Sequence, residues 1–271
     1  MISKSEYEGL EGSFHTVGNV VHYLPVTTST MDVAWDLAVN GAPDGTFIVT
    51  DHQTAGRGRH AREWVSEVGE DVLCSVVLRP RVALAGELLM IAALAVVDVA
   101  ESLGMTVGIK WPNDVQVSGK KLAGVIAESV TEPSGSCTHG SSERLTAVIG
   151  IGLNVNFDPD EHTDVVPDST SLGKELQRPV KRFDVLLELM RSLDDYYSQI
   201  MSGGSVVTTW RNKLTTLGKD VTVSREELGM DSSLSGLAHD VDSFGRLILR
   251  DEFGRDWPVA AGEVTVRKVS C

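Results

Sequence analysis

Apolar positions along the chain repeat with two periods, which separate predicted helices from predicted strands. The segments with helical spacing are residues 29–41, 84–103, 182–201 and 206–217. The segments with strand-like apolar runs are residues 47–50, 72–78, 107–110, 115–117, 122–130 and 145–156. Helices interspersed with hairpins, rather than strict strand–helix alternation, predict an α+β fold with a mixed or antiparallel sheet.

The pattern changes after residue 217, where only short strand-like pieces follow. Their spacing predicts a small antiparallel barrel or sandwich, and the pieces are residues 221–224, 234–241, 247–250, 257–259 and 264–266. We therefore divide the chain into a poorly ordered segment 1–19, a main domain 20–217 and a β domain 218–271. Residues 131–142 predict a mobile loop, and no internal repeat is apparent.

Composition and charge narrow the class of protein. The 271 residues carry 24 Lys and Arg against 38 Asp and Glu, a formal net charge of −14. This balance argues against a general nucleic-acid binder, although a small basic pocket for one nucleotide remains compatible with it. The longest apolar run is ten residues, 88–97, and the acidic N-terminus lacks a signal pattern, so we expect no membrane span and no secretion. Three distant cysteines predict neither a disulfide framework nor a zinc site.

The first candidate chemistry follows the strand at residues 47–50. Three arginines alternate with two glycines there: Gly56, Arg57, Gly58, Arg59 and Arg62. Glycine allows the backbone to approach a ligand, and the arginine fork binds carboxylate or phosphate. In an acidic chain this cluster predicts an anion site, with Trp64 as a flat face on which a base can stack. The alternative is an ordinary exposed basic loop.

The same stretch also fits a dinucleotide-binding fingerprint. Gly56, Gly58 and Ala61 have the spacing G-x-G-x-x-A. That fingerprint needs a helix to open at the glycines, whereas a strand is predicted at residues 72–78. Asp71 also lies too near to serve as the ribose-binding acid. This interpretation is therefore not favoured.

A second candidate segment is residues 110–114, with Lys121 seven residues after Asp114. Pro112 fixes a turn, and Asn113 and Asp114 supply acceptors at its end. A hairpin about residues 118–119 would bring Asp114 near Lys121. The pair could position a nucleophile and neutralise a reacting anion, or form only a surface ion pair worth about 0–1 kcal/mol.

A third segment, residues 150–156, contains glycines within an apolar strand. Gly150 and Gly152 weaken the strand unless a ligand or another backbone approaches closely. Asn154 and Asn156 share a face of this strand and could offer amide hydrogen bonds to a base or phosphate. Close packing between the strand and a helix explains the same glycines equally well.

Together these segments resemble the biotin protein ligases. The resemblance runs from about residue 20 to the C-terminus, and its motifs occur in one order: Ser29-Thr30, residues 53–59 through Trp64, residues 110–114, residues 121–124 and residues 150–154. It implies a catalytic domain like that of class II aminoacyl-tRNA synthetases and a small SH3-like C-terminal domain. Each motif is modestly specific, whereas all of them in this order are a strong signal.

The resemblance also implies a reaction. Biotin and ATP, with Mg²⁺ escorting the phosphates, would give biotinyl-5′-adenylate and pyrophosphate. A lysine of a biotin carboxyl-carrier protein would then attack the adenylate and release AMP. The protein would be cytoplasmic, with no metal site of its own, no nucleic-acid partner and no membrane partner; its oligomeric state stays open.

Particular residues inherit roles from the resemblance. The catalytic set is Lys121, Arg59, Arg57 and Asp114, with Asp114 orienting or deprotonating the acceptor lysine. The biotin-binding set is Ser29, Thr30, Gln53, Gly56, Arg57, Gly58, Arg59, Lys121 and Gly124. The nucleotide-binding set is Arg62, Trp64, Asn113 and Asn154.

Two positions depart from the pattern of the family, and three alternative functions stay open. Met31 stands where many members carry Asn or Gln, and Ala61 replaces a loop glycine of some members. Neither change removes a charge. Only some 20 residues, with an acidic balance, precede the core, and we expect these to be too few for the DNA-binding unit of some members. The alternatives are a lipoate–protein ligase with the same adenylate chemistry, a ligand-binding co-repressor and a nucleotide-binding scaffold without turnover.

Overall fold

The computed structural model describes residues 2–58, 62–131, 144–161, 168–227, 230–260 and 262–266. A seven-stranded sheet forms its centre, with strands β1 Val21–Leu24, β2 Thr46–Thr50, β3 Val72–Leu78, β4 Gly108–Lys110, β5 Asp114–Val117, β6 Lys120–Thr131 and β7 Leu145–Leu153. The spatial order is β1-β2-β3-β7-β6-β5-β4. Because β1 runs parallel to β2 and the other neighbours are antiparallel, the prediction of a mixed sheet is confirmed.

Helices cover both faces of this sheet. The α-helices of the described residues are α1 Lys4–Glu8, α2 Thr30–Val39, α3 Ala85–Ser102, α4 Leu172–Leu176, α5 Arg182–Met201 and α6 Val207–Lys213. On β2, Ile48 packs with α2, whereas Phe47 and Val49 belong to the core that contains α3 and α5. This alternation follows from the period of two along a strand. On the α2 face the helix covers only part of the sheet, and the candidate site lies on the remaining part.

Helix α3 is the most apolar element of the fold. With the preceding 3-10 turn it spans Val82–Ser102, long and apolar enough by length and composition to cross a membrane. Its side chains nevertheless pack into the core with the sheet and α5. The helix is longer than the ten-residue apolar run, residues 88–97, because the buried face continues through Val99 and Ala100 beyond Asp98.

The N-terminal segment differs from the prediction that residues 1–19 are poorly ordered. Tyr7 on α1 is fully buried, and its hydroxyl donates to Oδ1 of Asp51 at 2.9 Å. Asp194 on α5 accepts the backbone N–H groups of residues 15–17 at 2.8 to 2.9 Å. These hydrogen bonds and the buried side chains of Leu10 and Val17 hold the segment, although its apolar residues repeat with no regular period.

A second sheet follows α6. Its strands are β8 Asp220–Glu227, β9 Met230–Val241, β10 Leu247–Arg250, β11 Asp256–Val259 and β12 Glu263–Val266, in the order β11-β10-β9-β8-β12. All pairs are antiparallel, so the predicted small antiparallel β unit is confirmed. The first strand of this sheet begins at Asp220, three residues after the predicted boundary at residue 217. The division of the chain into domains stays a prediction.

The second sheet contains a short repeat that the sequence analysis overlooked. The pattern Asp-x-Phe-Gly-Arg occurs at residues 242–246 and again at residues 251–255. In each turn the aspartate Oδ1 accepts the N–H groups of the phenylalanine and the arginine at 2.9 to 3.0 Å. The third residue after each aspartate is a glycine with φ +77°. Five residues form one turn rather than a structural unit, so this repeat does not stand out along the sequence.

Candidate functional site

A cavity of about 290 Å³ opens on the α2 face of the main sheet. The predicted site residues that line it are Ser29, Thr30, Gln53, Arg57, Gly58, Arg62, Trp64, Asn113, Asp114, Lys121, Gly124 and Asn154. Gly56 lies behind this lining, with Trp64 O 2.5 Å from the position of an added Cβ. Arg59 lies outside the described residues. Motifs separated by more than a hundred residues therefore meet at one cavity.

Polar groups at the N-terminus of α2 form one end of the cavity. The side-chain oxygen of Gln53 accepts the Thr30 N–H at 2.8 Å and the Thr30 hydroxyl at 3.1 Å. The Ser75 hydroxyl donates in turn to Thr30 Oγ1 at 2.8 Å. Ser29 precedes α2, yet its buried hydroxyl makes no capping bond and has no partner among the described residues. An unpartnered buried hydroxyl beside a cavity is available to a ligand.

The arginine- and glycine-containing loop forms a narrow ribbon at the cavity mouth. The backbones of Arg57 and Glu63 form an isolated antiparallel β-bridge. Gly58 N donates to Arg62 O at 2.7 Å, and Trp64 N donates to Gly56 O at 2.9 Å. The described part of this ribbon leads through turns into β3, so no helix begins at its glycines. The dinucleotide-binding interpretation is therefore excluded, since that motif needs a helix there.

Trp64 lies directly on the glycines of the central strands. Gly124 on β6 and Gly152 on β7 face each other in register. A Cβ on Gly152 would approach Trp64 Cε2 to 2.5 Å, and one on Gly124 would approach Cζ3 to 2.9 Å. Gly124 and Gly152 thus accommodate an indole, whereas Gly150 lies against the Met31 side chain of α2, so the alternative of strand–helix packing holds for Gly150. The Trp64 Nε1 is buried and has no hydrogen-bond partner among the described residues.

Arg57 is bound by two carboxylates. Its Nη1 lies 2.6 Å from Asp32 Oδ1, and its Nη2 lies 2.5 Å from Glu128 Oε1. The other Glu128 oxygen accepts the indole N–H of Trp35 at 2.7 Å. In this structure the guanidinium is therefore occupied, although Arg57 lines the cavity.

Lys121 and Asp114 meet across the β5–β6 hairpin, as predicted from their spacing. The Nζ lies 2.9 Å from Asp114 Oδ1, and both side chains are about a quarter exposed. The same Nζ lies 5.5 Å from the centre of a Trp64 ring. Ser118 (φ 50°) and Gly119 (φ 85°) form the hairpin turn. A carboxylate, an ammonium and an indole thus converge at one side of the cavity.

The two predicted asparagines brace the cavity wall. Asn113 Nδ2 donates to Val125 O at 2.8 Å, and Asn154 Nδ2 donates to Thr170 O at 2.9 Å. Asn156, on the same segment, donates to Val180 O at 3.0 Å. These amide N–H groups therefore hold neighbouring backbone in this structure, while Asn113 and Asn154 still border the cavity.

Trp111 links the cavity to the second sheet. It is 2% exposed, and its indole donates to Gly245 O at 3.0 Å. Its backbone N–H donates to the Thr216 hydroxyl at 2.9 Å. Val264 on β12 and Gly262, which immediately precedes β12, also line the cavity. Both sheets therefore contribute to the site.

The sequence analysis missed several residues at the site. They are Ser75, Asp32, Trp35, Glu128, Asp168 and Ser169. Ser75 lies on β3 between apolar neighbours, and a polar residue in a buried strand is a usable signal for a site. Glu128 gives no such signal, because it lies beside Ser129 toward the exposed end of β6. The proximity of residues 168–169 to Lys121 has no such signal, because it arises from backbone hydrogen bonds between distant segments.

Two buried acids near the cavity have shifted pKa values. Desolvation raises the pKa of Asp71 to about 7, although its Oδ1 accepts the Val155 N–H at 2.9 Å. Complete burial raises the pKa of the Cys74 thiol well above its ordinary value. Cys74 is therefore a neutral wall residue rather than a nucleophile. Cys137 and Cys271 lie outside the described residues.

Comparison with known proteins places this chain in a family. Residues 23–153 match the model of the biotin/lipoate A/B protein ligase family. The biotin–[acetyl-CoA-carboxylase] ligase of Mycobacterium tuberculosis is 36% identical over 236 residues, which cover 84% of this chain and 81% of that protein. The bifunctional ligase/repressor BirA of Bacillus subtilis is 33% identical over 245 residues, covering 88% and 71%. The chain belongs to the biotin/lipoate A/B protein ligase family.

A solved structure agrees with the fold. The biotin protein ligase from Aquifex aeolicus in complex with biotin and ATP superposes with a TM-score of 0.70 at 24% identity. The match covers 92% of this chain and 98% of that one. The arrangement of a mixed sheet and a second small antiparallel sheet is thus that of a biotin protein ligase.

Proposed function

We propose that this protein is an ATP-dependent biotin–protein ligase. It joins biotin to ATP as biotinyl-5′-adenylate and then transfers biotin to a lysine of a carboxylase's biotin carboxyl-carrier domain. The observation that carries the proposal is the convergence of Gln53, Trp64 and Lys121 on one cavity. The family relatives named above act in the same reaction class.

The first half-reaction brings two anions together. The biotin carboxylate attacks the α-phosphorus of ATP, and the bond to the bridging oxygen breaks, so pyrophosphate leaves with its Mg²⁺. Lys121 stabilises the charge on the reacting carboxylate and phosphate, since a fixed ammonium acts strongly in a site shielded from water. Arg59 is proposed as a further cation, whereas Arg57, the other arginine predicted for this role, is already held by Asp32 and Glu128. Mg²⁺ enters as part of the ATP substrate.

The neutral part of biotin fits the other end of the cavity. Ser29, Thr30 and Gln53 supply hydroxyl and amide groups for a ureido ring, together with the backbone of residues 56–59. Gly124 lines the cavity on the strand side and allows the Trp64 indole to approach β6 closely. Trp64 offers an indole face to the adenine, and Arg62, Asn113 and Asn154 border the nucleotide. Each side chain is thereby matched to a substrate part of suitable chemistry.

The second half-reaction needs a neutral acceptor amine. The amine nitrogen attacks the acyl carbon of the mixed anhydride, and AMP leaves with the bonding electron pair. Asp114 accepts the proton or orients the amine, because one of its oxygens lies at the cavity edge beside Lys121. The described parts of the loop that line the cavity, residues 57–58 and 62–64, help to exclude water and thereby limit hydrolysis of the adenylate.

The finer assignments belong to the same proposal. The main domain has the class II aminoacyl-tRNA synthetase-like fold, and the C-terminal sheet is SH3-like. The protein acts in the cytoplasm without a nucleic-acid or membrane partner. The net charge of −14 supports the absence of nucleic acid, because such binding needs a basic face.

The test measures pyrophosphate release from ATP with biotin, with lipoate and with neither. Biotin-dependent release, followed by label transfer to a carrier domain, is the expected result. Lipoate-dependent release would identify a lipoate–protein ligase instead. No release with either acid would leave a nucleotide-binding scaffold or a co-repressor, and the proposal would be abandoned.

A further inference from the structure

Glu128 occupies an unusual place for a carboxylate. It lies on β6, four residues beyond Gly124, and its side chain is 34% exposed. Its two oxygens are held separately: Oε1 lies 2.5 Å from Arg57 Nη2, and Oε2 accepts the Trp35 indole N–H at 2.7 Å. Since Trp35 belongs to α2, the carboxylate connects a helix, a strand and the cavity loop.

We propose that Glu128 is a positioning residue that, through Arg57, anchors the start of the arginine- and glycine-containing loop, residues 56–58. This inference rests on the proposed function and deepens it. Asp32 completes the anchor, because its Oδ1 lies 2.6 Å from the other terminal nitrogen of Arg57. A guanidinium held by two groups on rigid elements has little freedom to move.

The charges at this anchor argue against Arg57 serving mainly as a cation for the substrate. One guanidinium stands between two carboxylates, Asp32 and Glu128, so the cluster carries a net negative charge. Both of its terminal nitrogens are engaged. An approaching phosphate would therefore meet acidic oxygens as well as the arginine.

The backbone around Arg57 shows what the anchor holds. Arg57 pairs with Glu63 across the ribbon, and Gly58 N donates to Arg62 O at 2.7 Å. On the other side, Gly56 O accepts the Trp64 N–H at 2.9 Å. Fixing Arg57 consequently fixes the backbone of residues 56–58 and the start of Trp64, which line or support the cavity.

The variant Glu128→Gln distinguishes an anchor from a free cation. The amide oxygen can still accept the Trp35 N–H, whereas the charge that holds Arg57 is removed. We expect the KM for biotin to rise roughly tenfold, as for loss of one charge-assisted hydrogen bond, with a smaller change in kcat. If Arg57 instead acts as a cation toward ATP, loss of a competing carboxylate lowers the KM for ATP and leaves biotin unaffected.

Two further readouts separate positioning from general stability. Trypsin should cleave the Glu128→Gln variant faster at Arg57 and Arg62, while its midpoint of thermal unfolding stays close to that of the wild type. In a double-mutant cycle, Glu128→Gln should add no further loss of biotin affinity to Arg57→Gln, because the two residues act as one unit. Asp32→Asn should give a smaller effect of the same kind.

Glu188→Gln is the matched control, since Glu188 pairs with Arg191 on the surface of α5, away from the cavity. If wild type and Glu188→Gln release no pyrophosphate with biotin, the proposed function fails. If both are active and Glu128→Gln has their KM for biotin and their rate of tryptic cleavage, the anchor is refuted. Additive losses in the double-mutant cycle would refute it as well.

Discussion

Replacement of Gly152 by alanine tests whether Trp64 needs a bare strand beneath it. An added Cβ at this position lies 2.5 Å from Cε2, 2.8 Å from Cζ2 and 2.9 Å from Cδ2 of the indole. Carbon atoms in contact prefer about 3.5–4.0 Å, so the ring must retreat by roughly 1 Å. Gly152 has no positive φ, so alanine introduces no backbone strain into β7.

A displacement of this size should affect the nucleotide more than the fold. Misplacement by about 1 Å can lower a rate on the order of 10²-fold, so we expect kcat/KM for ATP to fall by about that factor. The assay measures biotin-dependent pyrophosphate release at varied ATP, together with thermal unfolding of the same samples. The folded fraction should remain that of the wild type.

Gly150→Ala is the control on the same strand face. Its Cβ would meet Met31 Sδ at 2.7 Å, and a methionine side chain can rotate away at low cost. The loss of kcat/KM for ATP should therefore be much smaller. A folded Gly152→Ala protein with wild-type kcat/KM for ATP, or two variants with equal losses, would refute the proposed place of Trp64 under the adenine.

Three further predictions concern charged groups. Lys121→Ala should fold and lose adenylation by about 10²–10³-fold in pyrophosphate release, because one preorganised charge disappears. Asp51→Asn should lower the free energy of unfolding in urea by about 3–5 kcal/mol, since it leaves Arg182 buried without its carboxylate. Asp71, whose pKa is raised to about 7, favours the folded state fully below about pH 3.8, and this contribution is lost as pH rises through about 7. Asp71→Asn should therefore flatten the dependence of stability on pH across that window.

Each of these variants has a control and an opposing outcome. Lys120→Ala, on the exposed neighbour of Lys121, should keep wild-type adenylation, and equal rates in both variants would remove Lys121 from the mechanism. Asp36→Asn, on the surface of α2, should leave the urea midpoint unchanged. An unchanged urea midpoint in Asp51→Asn as well would show that the buried pair contributes little. For Asp71→Asn, an unaltered slope of stability against pH is the contradicting result.

Much of the fold was predictable because its signals are local. Helix α5 spans the residues that the apolar stripe predicts, and the hairpin at residues 118–119 forms where Ser118 and Gly119 predict it. The short strand β1 and the helices α1 and α4 were not predicted. Each is five residues or fewer and is held in place by contacts with residues far away in the sequence. In α1, for example, the Tyr7 hydroxyl donates to Asp51.

The site divides in the same way. The residue types that recognise carboxylate, phosphate and a base are visible in the chain as motifs, and the family follows from their order. Their mutual contacts are not visible, because strand register joins residues far apart in sequence. Gly124 lies opposite Gly152 only once β6 pairs with β7, and Trp64 then covers both.

The sequence by itself determined the secondary structure of the long elements, the family and the residues that carry chemistry, since periodicity and motifs are properties of short stretches. Tertiary structure alone decided that Arg57 stands between Asp32 and Glu128, and that the Ser29 hydroxyl is left without a partner among the described residues. Charge neutralisation and burial depend on what the fold places within a few ångströms, and no local pattern encodes that distance.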